Sequence, residues 1–301
     1  MSSTLDPSAP DRPAPLDHPE RPPGVVRAGA DAPWPWWLGI AGFICALAVT
    51  AVLGVVVVGV ASAFGVSTSG GTDDLPPGLT IALTFVQDLV FIATPVLIVA
   101  LVVGHVARTD FGLRLPVRPL VAVGLVIGAY LAFLVFTAIW TQALNITQGQ
   151  DTLDQLGATT SSGALAATAV LVCVGAPIGE ELLFRGLIFT SLRRFGLPVA
   201  VVVTGIIFGL VHFDGSSASV GFLVPLALLG ATLCLLYWRT RSLYPCIALH
   251  ALNNSIAFGS GVGWSWQIPL LVVGALATLA LLALLFERTR GRLRLPALPQ
   301  G

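Results

Sequence analysis

The sequence contains no lysine, and charge of either sign is scarce: aspartate, glutamate and arginine together supply only 10% of its 301 residues. So little charge excludes a soluble globular domain with an ordinary solvated surface. The 55% hydrophobic content and a mean hydropathy of +0.90 point instead to a polytopic membrane protein. Cysteine is sparse as well. Cys45, Cys173, Cys234 and Cys246 lie in apolar runs without paired spacing, which argues against a disulfide framework or a thiolate metal cluster and reads as small packing residues. The two halves of the chain show no internal repeat, and nothing in the composition calls for a nucleic-acid partner.

Long apolar runs are what the sequence has in quantity. Eight are long enough, or nearly so, to cross a hydrocarbon core of about 30 Å. They lie near Trp37 to Phe64, Leu79 to Val106, Leu120 to Leu144, Gly163 to Ser191, Leu197 to Phe213, Val220 to Trp238, Leu243 to Phe258 and Ile268 to Phe286. Arginines follow every second run: Arg108, Arg114 and Arg118 after the second, Arg193 and Arg194 after the fourth, Arg239 and Arg241 after the sixth, and Arg288, Arg290, Arg292 and Arg294 after the eighth. With Arg12, Arg21 and Arg27 before the first run, every arginine except Arg185 falls on one side, which the positive-inside rule makes cytoplasmic. The expected fold is therefore an all-α membrane protein, a bundle of eight transmembrane helices with both termini cytoplasmic. Residues 1–33, rich in proline and charge, read as a disordered cytoplasmic tail and not as a signal peptide. Residues 34–287 form the transmembrane domain, with a core at about 163–258, and 288–301 form a basic cytoplasmic tail.

The fourth run contains AVLVCVGAPIGEELLFRGLIF, Ala169 to Phe189, with Glu180, Glu181 and Arg185 amid apolar neighbours. Each costs roughly 2.5 to 3.5 kcal/mol at the centre of a spanning helix, so the trio requires partners, a water-filled cavity or a function. Glu181 precedes Arg185 by four residues, the favourable order for an ion pair on one helix face, whereas Glu180 points about 100° away. One carboxylate is paired and the other is left over. Pro177 predicts a kink one turn before Glu180, and Gly175 and Gly179 predict close backbone approach there.

Two further runs place polar groups at matching depth. Phe208 and His212 are four residues apart in the fifth, and His250 and Asn254 four apart in the seventh. Counted at 1.5 Å per residue from the arginine side, Glu180, His212 and Asn254 come to roughly 20, 22 and 17 Å, with His250 shallower at about 10 Å. A shared cavity with these groups would hold a free carboxylate as general base, a histidine to help hold water, and a second histidine with an amide to donate to a developing negative charge. That inventory suits amide hydrolysis. Cys246 shares a face with His250, but no acid is placed to orient a thiol–imidazole pair.

The ordered set EExxxR (Glu180, Glu181, Arg185), FxxxH (Phe208, His212) and HxxxN (His250, Asn254), in successive apolar runs, resembles the CPBP family of intramembrane proteases. This is also called the CAAX protease and bacteriocin-processing or Abi family, and it is related to the prenyl-protein endopeptidase Rce1. The resemblance covers about Gly163 to Phe258. It implies an intramembrane endopeptidase of the cell membrane acting on a membrane-associated protein or peptide. It further implies water activated by Glu180 and His212, an oxyanion stabilised by His250 and Asn254, and support from Glu181, Arg185 and Phe208. Zinc held by Glu180, His212 and His250 is chemically admissible, with a metal-free water preferred because Asn254 is a poor zinc ligand and a good oxyanion donor. A proton-coupled carrier, which Asp88 beside Gln87 would suit, and a non-catalytic scaffold or immunity protein of the same fold are the rival readings.

Overall fold

The structure, a computed structural model, describes residues 32, 34–67, 75–104, 106–146, 160–213 and 217–288. The two terminal tails expected from the sequence lie outside these residues, apart from Ala32 and Arg288. Eight helices account for most of the described chain, and among the described residues there is no strand. They are α1 (Trp37–Ala63), α2 (Pro77–Val103), α3 (Pro119–Ala143), α4 (Ser162–Phe195), α5 (Leu197–Leu210), α6 (Ser217–Thr240), α7 (Tyr244–Gly261) and α8 (Gln267–Arg288). A single 3₁₀ turn, Arg108–Phe111, stands between α2 and α3.

Local chemistry explains most of the ends. Prolines open α2, α3, α5 and α7 in the first turn, where a missing N–H leaves no bond unmade. Ser161 caps α4 by accepting the N–H of Ala164 at 3.1 Å. α2 stops at Gly104, whose φ of 79° is the left-handed termination.

Order and approximate bounds agree with the eight apolar runs, but not all eight helices are equal. Six, α1 to α4, α6 and α8, are long and apolar enough to cross a membrane. α5 has only 14 residues, roughly 21 Å of rise, and α7 has 18 residues carrying His250, Asn253 and Asn254. The expectation of eight transmembrane helices is met in part: eight helices are present among the described residues of a multi-pass membrane protein, and six of them qualify as spans by length and composition. The outer helices α1, α3 and α8 show broad apolar faces such as Val55, Leu120 and Leu281, while α4 is wholly buried from Glu181 to Leu192.

The arginine-bearing segments meet at one end of the bundle. Arg108 Nη1 donates to the Phe286 carbonyl at 2.9 Å, Arg114 Nε to the Arg241 carbonyl at 2.8 Å, and the Leu243 N–H to the Gly112 carbonyl at 2.9 Å. Ser242 Oγ donates to the Arg114 carbonyl, and the Trp34 indole to Ser191 Oγ at 2.9 Å. The segment from Ala107 to Arg118 thus lies under the bundle, clamped to the α6–α7 turn.

Candidate active site

α4 carries the ionisable trio, and its backbone is not a uniform α-helix. The register widens to π over Leu171–Gly175 and again over Leu182–Phe189, flanking Ala176–Glu181. Pro177 accounts for the first widening: the Ala176 N–H reaches the Leu171 carbonyl, but Pro177 has no N–H to give to the next carbonyl, Val172. A side chain takes that place. Asn254 Nδ2 on α7 donates to the Val172 carbonyl at 2.9 Å.

Close approach at Gly175 and Gly179 is present, and α2 is the partner. A Cβ on Gly179 would stand 3.1 Å from both the Asp88 carbonyl oxygen and the Phe91 Cβ, and one on Gly175 would overlap the Asp88 carboxylate. Asp88 is buried in this seam, and its Oδ2 has no hydrogen-bond partner.

The three charged groups of α4 are compensated unequally. Glu181 and Arg185 are both 0% exposed and pair at 2.8 Å, as their spacing predicts. Arg185 Nη2 also donates to the Gly230 carbonyl at 2.9 Å, and its guanidinium lies 4.6 Å from the Phe208 ring centroid, a cation–π contact in a water-poor setting. The same Glu181 oxygen that bonds Arg185 also accepts from His250 Nδ1 at 2.9 Å. Glu181 is therefore the hub of a buried Arg185–Glu181–His250 network spanning α4 and α7.

Glu180 is the carboxylate left over. Its Oε2 has no hydrogen-bond partner and stands 3.8 Å from His250 Nε2 and 4.0 Å from His212 Nε2. His212 Nδ1 donates to the Phe208 carbonyl at 2.7 Å, so a neutral His212 keeps its lone pair on Nε2, the nitrogen facing Glu180. The Phe208 ring wedges between the imidazoles, 4.9 Å from that of His212 and 5.6 Å from that of His250.

Glu180, His212 and His250 thus converge, with Glu181, Arg185 and Phe208 around them. Asn254 does not join that cluster: its amide sits one turn further along α7, on the α4 backbone at Val172, with Asn253 Nδ2 donating to its Oδ1 at 3.4 Å. His250 and Asn254 keep the order expected along α7, but α7 as a whole stands deeper against α4 than the count from Leu243 gave. His250 is level with Glu180 and Glu181, and Asn254 lies beyond them. Counting from Leu243 assumed that α7 starts at the membrane surface, whereas Ser242 and Leu243 are buried beneath the Ala107–Arg118 segment and lift the whole helix. The acceptance of His250 by Glu181 was also missed. Its signal was the adjacency of two glutamates with one arginine between them to share.

The zinc expectation fares less well. Distances of 3.8 and 4.0 Å from one Glu180 oxygen exceed the edge of about 3.3 Å of a tetrahedron with zinc–ligand bonds of about 2.0 to 2.1 Å. Among the described residues no group of three or more His, Cys, Asp or Glu is disposed to hold a metal ion. The donor set does not fit, and no step below runs through a metal.

A helical membrane protein with a free carboxylate between two imidazoles, backed by a buried ion pair, is the class that this fold and site define. Residues 162–256, spanning most of α4 to α7 and all three motifs, match the family described as type II CAAX prenyl endopeptidase Rce1-like, the family to which the motifs' resemblance pointed. No curated protein and no solved structure matches the chain.

Proposed function

We propose that this protein is an intramembrane endopeptidase that hydrolyses a peptide bond in a membrane-associated protein or peptide. The observation that carries this reading is the placement of Glu180 Oε2, unbonded, 4.0 Å from the acceptor nitrogen of His212. Two groups at that separation are too far apart to bond each other, and both can accept from one water at about 2.8 Å. Such a water directs its two protons to Glu180 and His212 and its lone pairs outward. When it attacks the scissile carbonyl, Glu180 takes a proton and later delivers it to the leaving amine.

His250 has a more conditional part. Its Nδ1–H is engaged by Glu181, so it donates through Nε2 to an oxyanion only as the imidazolium, with Glu181 as counter-ion. One amide hydrogen of Asn254 is taken by Val172, and the second remains for an oxyanion. Glu181 and Arg185 hold His250 and Glu180 in place. The match to a prenyl endopeptidase family supports proteolysis in general; the rest is our reading of the geometry. The same reading makes the protein a multi-pass protein of the cell membrane with both termini cytoplasmic.

The carrier alternative has one observation in its favour, the buried Asp88 carboxylate in the seam beside Gly175. A comparison of membrane-derived peptides between cells carrying wild-type and Glu180→Gln protein separates the readings. The protease account expects an intact species that accumulates only with the variant; identical peptide sets would count against it.

A further inference from the structure

Asp88 is a buried carboxyl beside the site that the proposed hydrolysis leaves without a part. It is 4% exposed, and its Oδ2 has no hydrogen-bond partner. The glycine seam fixes its place: the carboxylate lies over Gly175, and the Asp88 carbonyl oxygen stands 3.1 Å from where a Cβ of Gly179 would be. This is the turn of α4 that leads into Glu180, whose side chain leans back toward the N-terminal end of its helix and so toward the same level. Glu180 is the charged group that acts on the Asp88 carboxyl.

The elements around Asp88 bring it no counter-charge. α1, which packs on α2, holds no charged residue, and α2 holds none besides Asp88. α4 brings Glu180, Glu181 and Arg185, and beyond them stand His212 and His250. Three carboxyls thus share one permanent cation, Arg185, and Glu181 has it at 2.8 Å. Glu180 has imidazole nitrogens at 3.8 and 4.0 Å, whereas among the described residues no basic group is within ion-pair distance of Asp88. Two carboxylates in one apolar seam are not both kept ionised without a cation between them. With His250 as the imidazolium that an oxyanion requires, Arg185, His250, Glu180 and Glu181 together are neutral, and a charged Asp88 would leave one negative charge in excess.

Resting on the hydrolase reading of Glu180, we propose that Asp88 is a further positioning residue of the active site: a neutral carboxylic acid that shares its proton with Glu180, directly or through one water, and so concentrates the negative charge of the pair on Glu180. The donor arrives from the α2 side, and Glu180 Oε2 keeps its face to the imidazoles. When Glu180 takes a proton from the attacking water, both carboxyls are neutral and the negative charge sits on the tetrahedral oxygen. Delivery of that proton to the leaving amine restores the pair.

Infrared spectroscopy of the full chain in lipid vesicles at neutral pH tests this through the C=O stretch of a protonated carboxyl. Wild-type protein should show a band that moves when aspartate carries heavy carbon in its side-chain carboxyl, and not when glutamate does. The band should vanish in Asp88→Asn and persist at a shifted frequency in Glu180→Gln, where the acid loses its anionic neighbour. Absence of the band, its movement with labelled glutamate, or its survival in Asp88→Asn would overturn the assignment of the proton; an unshifted band in Glu180→Gln would overturn the sharing. Should Asp88→Asn fail to accumulate, labelled wild-type and Glu180→Gln proteins decide the same question. Asp110, also buried, accepts the Ala107 N–H at the arginine end of the bundle, so a band of its own would not answer to Glu180→Gln. The spectrum does not depend on turnover: wild-type protein that shows the band and cleaves nothing would sink the protease reading, and protein that cleaves without the band would sink this proposal alone.

Discussion

Glu180 and Glu181 are neighbours in the chain and opposites in circumstance. Glu181 is fully buried and accepts from Arg185 and His250, while Glu180 faces two imidazole nitrogens across gaps of 3.8 and 4.0 Å. Glu180→Gln should abolish cleavage, by a factor on the order of 10² to 10⁴ for loss of a general base, with unchanged membrane insertion and thermal stability. Glu181→Gln strands the Arg185 guanidinium in the core and should cost roughly 3 to 5 kcal/mol, read as lower protein level and melting temperature as well as lost activity. A stable, active Glu181→Gln beside a degraded Glu180→Gln would reverse these roles.

Asn254 does two jobs in this account, and they can be separated. Its amide satisfies the carbonyl that Pro177 leaves unpaired, so Asn254→Ala should lose about 1 to 3 kcal/mol of stability in addition to roughly 10² to 10³ in turnover. Pro177→Ala restores an N–H to that turn. The double variant Pro177→Ala with Asn254→Ala should therefore recover thermal stability and not turnover. Recovery of neither would remove the structural half of the argument, and recovery of both the oxyanion half. This pairing was not legible in the sequence. Pro177 announced a broken bond in α4, but which side chain would repair it depended on how far the α6–α7 turn lifts α7, a tertiary fact. The Glu181–Arg185 pair, by contrast, follows from i,i+4 spacing alone.

At the scale of elements, the α2–α4 seam sets where Glu180 stands. Gly175 and Gly179 let α4 approach the α2 backbone at Asp88, and any side chain there must displace something. At Gly179 the obstacle is backbone, so Gly179→Val should push the helices apart and lower the melting temperature whatever stands at position 88. At Gly175 the obstacle is the Asp88 carboxylate, so Gly175→Ala should be destabilising in the wild-type background and relieved by Asp88→Ala. Additive effects of that pair in a thermal-unfolding double-mutant cycle would show that the two do not share the seam. Helix existence and order were legible from apolar runs and proline starts. The short α5 and the polar α7 were read as ordinary spans because an apolar run fixes neither where its helix ends nor which of its polar side chains find partners inside the bundle.

At the scale of the whole molecule, the one-sided arginines and the end of the bundle where their segments meet make a single claim about orientation. Reporter fusions after Leu115, Phe195 and Thr240 should report cytoplasm, and fusions near Ser69, Asp151 and Gly261 the opposite side. A reversal at any of these would break the alternation on which the depth of the site rests. The central claim, however, is chemical: Glu180 activates water for peptide hydrolysis inside this bundle. It is tested most directly by adding purified protein in lipid vesicles to the intact membrane species that accumulates in Glu180→Gln cells, then resolving the products by mass. The account predicts two fragments from a single cut with wild-type protein, undiminished after prolonged chelation, and none with a Glu180→Gln protein of unchanged melting temperature. Cleavage by Glu180→Gln at the wild-type rate would contradict it.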